Sequence, residues 1–282
     1  MNRKLIASII SILLMSGCQA PPTKSYDSQP IQPRVVSTTI PVITEQTVVI
    51  DARSPFEFSL WHLNGSINLQ WQDFNQKTKP FLGLLELDTF SLARRFATYG
   101  IGPNTPVVVV GKGPHGNGEE GRLAWTLKVL GVSNVRFSSI ELFSQPKTKE
   151  EAPPRKSETL WKPVVDDTLS VDKDLFQHRR TAVVIDVRSE AEYLGKDAAS
   201  PYAKSAPEVG AFNIPWVQFF DEKGLVSHQI LSRLQAVGIT PDREIYVVDN
   251  VGVRSAAVTL ALRELGFAKA ANFAGGYMEL VH

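Results

Sequence analysis

The residues best placed to do chemistry lie in two loops. In the second half of the chain the β-branched run Ile245-Tyr246-Val247-Val248 gives way to Asp249-Asn250-Val251-Gly252-Val253-Arg254-Ser255, and then to a helical stretch from Ala256 to Leu265. A turn of this kind points several backbone N–H groups inward beside a helix N-terminus. That makes an anion cradle, able to lower a thiol's pKa or to hold a transferred atom or oxyanion. The group at its centre is the carboxyl of Asp249. In the first half the run Val107 to Val110 ends at Gly111-Lys112-Gly113-Pro114-His115-Gly116-Asn117-Gly118-Glu119-Glu120-Gly121, with a helix expected from Arg122. Its glycines with Lys112 and His115 would suit an oxyanion site or mark a mobile loop that has lost its function, and the second is the plainer reading. His115, Glu119 and Glu120 are metal-ligand types without diagnostic spacing, so no metal site is expected.

The elements that carry these loops occur twice. Val48-Val49-Ile50-Asp51-Ala52-Arg53-Ser54 recurs as Val183-Val184-Ile185-Asp186-Val187-Arg188-Ser189, at an offset of 135 positions. Gly65-Ser66-Ile67-Asn68 matches Gly210-Ala211-Phe212-Asn213 at an offset of 145, which places an insertion in Lys196 to Glu208. Each copy continues with a helix-like segment (Thr89 to Tyr99; Ser227 to Val237), a strand, and a second helix that ends in Leu130-Gly131 or Leu265-Gly266. Strands alternating with helices predict an α/β fold, each copy a parallel sheet with helices on both faces and its ligand site at the carboxyl ends of the strands. The composition shifts predict domains over 36–145 and 160–282, joined by a charged, proline-punctuated linker over 146–159. Asp51, Arg53, Asp186 and Arg188, at strand ends, read as a fold-supporting network rather than reactive groups. His62 is read as a structural hydrogen-bonding group, and Trp71 and Trp216 as core aromatics.

The second loop resembles the active-site loop of the rhodanese (thiosulfate sulfurtransferase) family, Cys-x-x-Gly-x-Arg-Ser between a strand and a helix. Asp186-x-Arg188-x-x-x-Glu192-Tyr193, Gly210-Ala211-x-Asn213-Ile214-Pro215 and Phe273-Ala274-Gly275-Gly276-Tyr277 are similar to the family's other landmarks in order and spacing. The first copy matches through Asp51 to Phe58 and Trp61 to Asn68, and more weakly afterwards. The resemblance implies tandem rhodanese-like domains, and it implies a thiolate at the positions held here by Asp249 and, in the first copy, by about Gly111. A carboxylate oxygen does not form a stable persulfide. Sulfur transfer by the usual route is therefore not expected, and no catalytic residue is assigned. Two roles stay open for Asp249. It can accept the loop N–H groups and cap the helix beginning near Arg254, in permanent place of an anion, or it can act as a carboxylate nucleophile. The first is favoured, because no partner acid or metal-binding cluster accompanies it.

The sole cysteine is Cys18. It follows Asn2-Arg3-Lys4, an apolar run from Leu5 to Met15 and Ser16-Gly17, a run too short to span a bilayer. The arrangement resembles a bacterial lipoprotein processing site over 1–18, with Met15 where that site usually has leucine. The other reading is an ordinary signal peptide with an incidental cysteine. Residues 19–35, rich in Pro, Ser, Thr and Gln, read as a flexible tether. The expected setting is the cell envelope, with a lipid anchor at Cys18. The outer membrane, facing the periplasm, is favoured in a two-membraned host. Thirty basic against 29 acidic side chains leave a net charge of +1, so the global balance offers nothing to nucleic acid. No cofactor is expected. Three functions stay open: a catalytically inactive scaffold for an envelope protein, a sensor of a small anion, and a thiosulfate or mercaptopyruvate sulfurtransferase.

Overall fold

The computed structural model describes residues 40–200, 202 and 206–282; the expected processing site, Cys18 and the tether lie outside them. The first domain runs β1 (Val48–Asp51), α1 (Pro55–Leu60), β2 (His62–Leu63), β3 (Ile67–Asn68), α2 (Thr89–Thr98), β4 (Val107–Gly111), α3 (Glu119–Val129), β5 (Val135–Ser139) and β6 (Lys147–Thr148). The second runs α4 (Lys173–Gln177), β7 (Val183–Asp186), α5 (Glu190–Tyr193), β8 (Phe212–Asn213), α6 (Ile230–Ala236), β9 (Ile245–Val248), α7 (Arg254–Glu264), β10 (Ala270–Asn272) and α8 (Gly276–Leu280). The two four-stranded sheets are parallel and share one order, β3-β1-β4-β5 and β8-β7-β9-β10. Their central strands are buried throughout, apart from the half-buried Val183, as expected of a sheet covered on both faces.

The repeated Asp-x-Arg-Ser is a device for leaving the strand. The Asp51 carboxylate accepts the backbone N–H of Arg53 at 3.0 Å, and Asp186 that of Arg188 at 2.9 Å, an Asx turn that ends the extended run. Each arginine then folds back onto the same carboxylate, with Nη2 at 2.7 Å, so that two buried charges satisfy one another. From the neighbouring strand, Asn68 donates to the carbonyls of Asp51 and Arg53, and Asn213 to those of Asp186 and Arg188. The serine that follows caps the next helix: Ser54 with Glu57, and Ser189 with Glu192, form reciprocal capping boxes.

The two domains meet through α3 and α7. Both are 11 residues long, start 135 positions apart and are buried on nearly every side, the pattern of a helix with no solvent face. They touch where the first has glycine: a Cβ on Gly121 would lie 2.3 Å from the Cβ of Ala257. The first domain's core continues into Ala256 and Leu260 of α7.

The segment 146–159 does not hang free. Lys147–Thr148 pairs antiparallel with His62–Leu63, and the Glu158 N–H donates to the Ala97 carbonyl at 2.9 Å. His62 serves this junction, with Nδ1 2.9 Å from the Phe58 carbonyl and Nε2 3.0 Å from that of Glu150.

Candidate functional site

In the second domain β9 delivers Asp249, 1% exposed, into the turn before α7. Its Oδ1 accepts the N–H of Val251 at 3.1 Å and that of Gly252 at 2.5 Å and stands 3.2 Å from the Ser255 hydroxyl oxygen, while Oδ2 accepts the Arg254 N–H at 2.8 Å. The turn depends on Gly252. Its φ is +76°, and a Cβ there would lie 2.2 Å from the Ala274 carbonyl oxygen, so a side chain is excluded by both conformation and space. Val253 is buried at the start of α7, and Ser255 donates to Asn272 at 2.6 Å.

The Arg254 side chain stands between two carboxylates. Its Nη1 and Nη2 reach the Glu192 oxygens at 2.7 and 3.0 Å, and its Nε lies 3.5 Å from Asp249. Asn250 adds a donor to Glu192 at 2.9 Å. Burial alone would raise the Glu192 carboxyl, but the hydrogen bonds and charge of Arg254, with Ser189 and Asn250, hold it at about 2. From below, Arg122 of α3 donates Nη1 to the Gly252 carbonyl at 2.9 Å. Arg122 is fully buried, and that burial lowers it to about 9 against the attraction of Asp249.

The first domain builds the same place from other residues. Sheet register sets Gly111 opposite Asp249, since Asp51 pairs with Val110 as Asp186 pairs with Val248. The equal offset of the two helices sets Glu119 and Glu120 where α7 has Arg254 and Ser255. Glu120 is 2% exposed, and a Cβ on Gly111 would fall 2.2 Å from its Oε2. A carboxyl therefore fills the loop in both domains, hung from the strand end in one and from the helix's first turn in the other. Burial pushes Glu120 up to about 8; Glu119 adds to the rise, and the amides of Glu120 and Gly113 and the Lys112 charge oppose it.

The ion pair over the site is rebuilt as well. Glu57, the counterpart of Glu192, binds Lys112 at 3.0 Å, because the helix position that would supply arginine is Glu119. The Ser54 hydroxyl donates to Glu57 at 2.7 Å and, against burial, draws its carboxyl below the ordinary value with the help of Lys112. A cavity of about 220 Å³ remains, bounded by Arg53, Glu57, Trp71, Lys112, Glu119 and Glu120 among others.

Two expectations need correction. The first helix starts at Glu119 rather than Arg122, because the glutamates that look like loop residues form its first turn. His115 is exposed and does not line the cavity, so the structure does not join it to Lys112. Trp216 is a core residue as expected, and Trp71, half-buried, packs against the first domain's core and also lines the cavity. Sequence reasoning gave no site role to Glu57, Glu192, Arg122 or Glu120. Counting back from the two Leu-Gly helix ends would have aligned Glu120 with Ser255. No cluster of His, Cys, Asp and Glu able to hold a metal occurs among the described residues.

The rhodanese-like domain model matches residues 41–139 and again 171–282. The chain belongs to the rhodanese family. It is 25% identical over 244 residues to the thiosulfate sulfurtransferase of Azotobacter vinelandii, covering 83% of this chain and 88% of that one. A putative thiosulfate sulfurtransferase of Synechococcus elongatus is 26% identical over 239 residues, covering 78% and 73%. Among solved structures, a probable thiosulfate sulfurtransferase superposes with a TM-score of 0.60 at 25% identity, covering 85% of this chain and 96% of that one. YnjE superposes with a TM-score of 0.69 at 19% identity, covering 82% of this chain. This chain spans 59% of the length of YnjE, and that likeness speaks for the fold alone.

Proposed function

We propose that this rhodanese-family chain is an envelope lipoprotein whose two domains bind and do not transfer sulfur. The observation that carries this reading is the hydrogen-bond set of Asp249. The amides that would polarise a thiolate or hold an oxyanion already converge on a carboxylate belonging to the chain. Sulfur transfer in this family, as its resemblance implies, needs a cysteine where Asp249 stands. The sole cysteine, Cys18, belongs to the expected lipid-anchoring site. The same carboxylates weigh against a small anion as ligand of the second domain, since it would meet Asp249 and Glu192 where it needs free donors. A scaffold for an envelope protein is the form of the proposal that remains, anchored at Cys18 and, in a two-membraned host, facing the periplasm from the outer membrane.

A second reading, sulfurtransferase activity, is favoured by one observation: the similarity to the Azotobacter vinelandii thiosulfate sulfurtransferase extends over 83% of this chain. The chain carrying Cys18→Ser separates the two. It is expected to leave the membrane fraction, and with thiosulfate and cyanide it should form thiocyanate no faster than buffer does. Enzymatic turnover in this thiol-free protein would establish the second reading instead.

A further inference from the structure

The first domain's cavity differs in charge from the site it parallels. Of the two cations on its wall, Arg53 is committed to Asp51 and Lys112 to Glu57. Glu119 accepts the N–H and Nδ2 of Asn117, with no cation among the described residues at hydrogen-bond distance. On α7, Arg254 is engaged by Glu192 and Asp249. Glu120, buried at the inner wall, has an Oε2 without a hydrogen-bond partner among the described residues. A buried acceptor left unmatched costs about 1–3 kcal/mol, so the fold carries an unmet demand for a donor at this point. Trp71, half-buried, lines the same wall, with the Arg122 guanidinium 5.8 Å from its ring centroid.

We propose that this cavity binds a small organic ammonium ion whose N–H groups donate to the carboxylate of Glu120. About 220 Å³ holds a short alkylamine, at roughly 30 Å³ for a water-sized unit. The same head group on a partner's lysine could enter only by its tip. Binding is coupled to a proton. Glu120 is mostly protonated at pH 7 because burial holds it near 8. An arriving ammonium keeps its own protons and displaces that of Glu120 to solvent, leaving an ion pair. Affinity therefore rises with pH up to about 8 and then levels off. The proposal does not depend on whether the second domain moves sulfur.

Calorimetric titration of the full chain with ethylammonium at pH 7, in phosphate and in HEPES, tests it. Saturable binding is expected, with release of about one proton per bound ion. Glu120→Gln, close in shape, should abolish the release and weaken binding about tenfold or more. Lys112→Met, at an exposed position, should tighten binding by freeing Glu57, which keeps the test informative if Glu120→Gln does not fold. Tetramethylammonium, with no N–H, should bind far more weakly. N-acetyl-lysine amide binding as tightly as ethylammonium would point to a partner's lysine, and weaker binding to a free amine. Absence of saturable ethylammonium binding, proton release unchanged in Glu120→Gln, or binding weakened in Lys112→Met would overturn the proposal.

Discussion

Asp249 and Glu120 show two ways of placing a carboxyl in one kind of turn, one met by backbone donors and the other with an oxygen left unmatched. Asp249 receives three amides, and hydrogen bonds of that kind to a charged acceptor stabilise by about 1.5–3 kcal/mol each before losses elsewhere. Asp249→Ala would leave buried N–H groups without acceptors. It is expected to lower the unfolding free energy by about 2–4 kcal/mol in urea titration, whereas Asp249→Asn, which keeps one acceptor oxygen, should lose less. Equal stability in all three proteins would show that water meets those amides and that the contacts contribute little. At Glu120 the neighbouring groups leave one oxygen unmatched, and burial dominates. The convergence of amides on Asp249 is legible in the sequence, because strand, Gly252 and helix start are all marked. Glu120 is not. A glutamate in a glycine-rich stretch looks solvated until the helix start is known, and that start emerges only by counting back from the Leu-Gly end of the helix.

At the scale of elements, the repeat legible in the sequence corresponds to specific contacts. Asp-x-Arg-Ser encodes the end of a strand, a folded-back ion pair and a helix cap, and the asparagine further along ties in the adjacent strand, so these motifs repeat because the turn needs all of them. The contact of α3 with α7 is less legible. Glu120 and Arg122 in α3 and Arg254 in α7 interrupt the apolar residues of both helices, so the sequence does not mark the faces that they bury against each other. Gly121 sits at their closest approach. Gly121→Ala would gain about 1 kcal/mol of intrinsic helix propensity, yet the added methyl meets Ala257 at 2.3 Å and the helices must part. Overpacking of this sort costs about 1–3 kcal/mol, so a net loss in urea titration is expected; a net gain would show that the pair yields without strain. The connecting segment also escapes a reading by composition. Its charges and prolines mark a linker, while the β6 pairing with β2 and the Glu158 bond to Ala97 depend on neighbours distant in sequence.

For the molecule as a whole, Glu192 beside the second loop and Glu120 in the first set opposite limbs of the pH–stability curve. Glu192 is held at about 2, below its ordinary value of 4.5, so its contribution is complete above 4.5 and is lost as pH falls from there toward 2. Glu120 is raised from 4.5 to about 8. The folded state then binds more protons than the unfolded chain across that interval, and stability falls as pH rises through it. The unfolding free energy from urea titration should peak near pH 5 and decline toward pH 8, by up to about 4 kcal/mol. Glu120→Gln should flatten the alkaline limb and leave the acid limb in place; a decline unchanged in that variant would assign it to other groups. One contact carries a consequence for ancestry. Because Arg122 of the first half completes the turn of the second, and α7 supplies side chains to the first half's interior, the duplicated halves have ceased to be interchangeable modules. Neither could be swapped for a single-copy homologue without stranding a buried guanidinium or uncovering an apolar helix, so each constrains what the other can become.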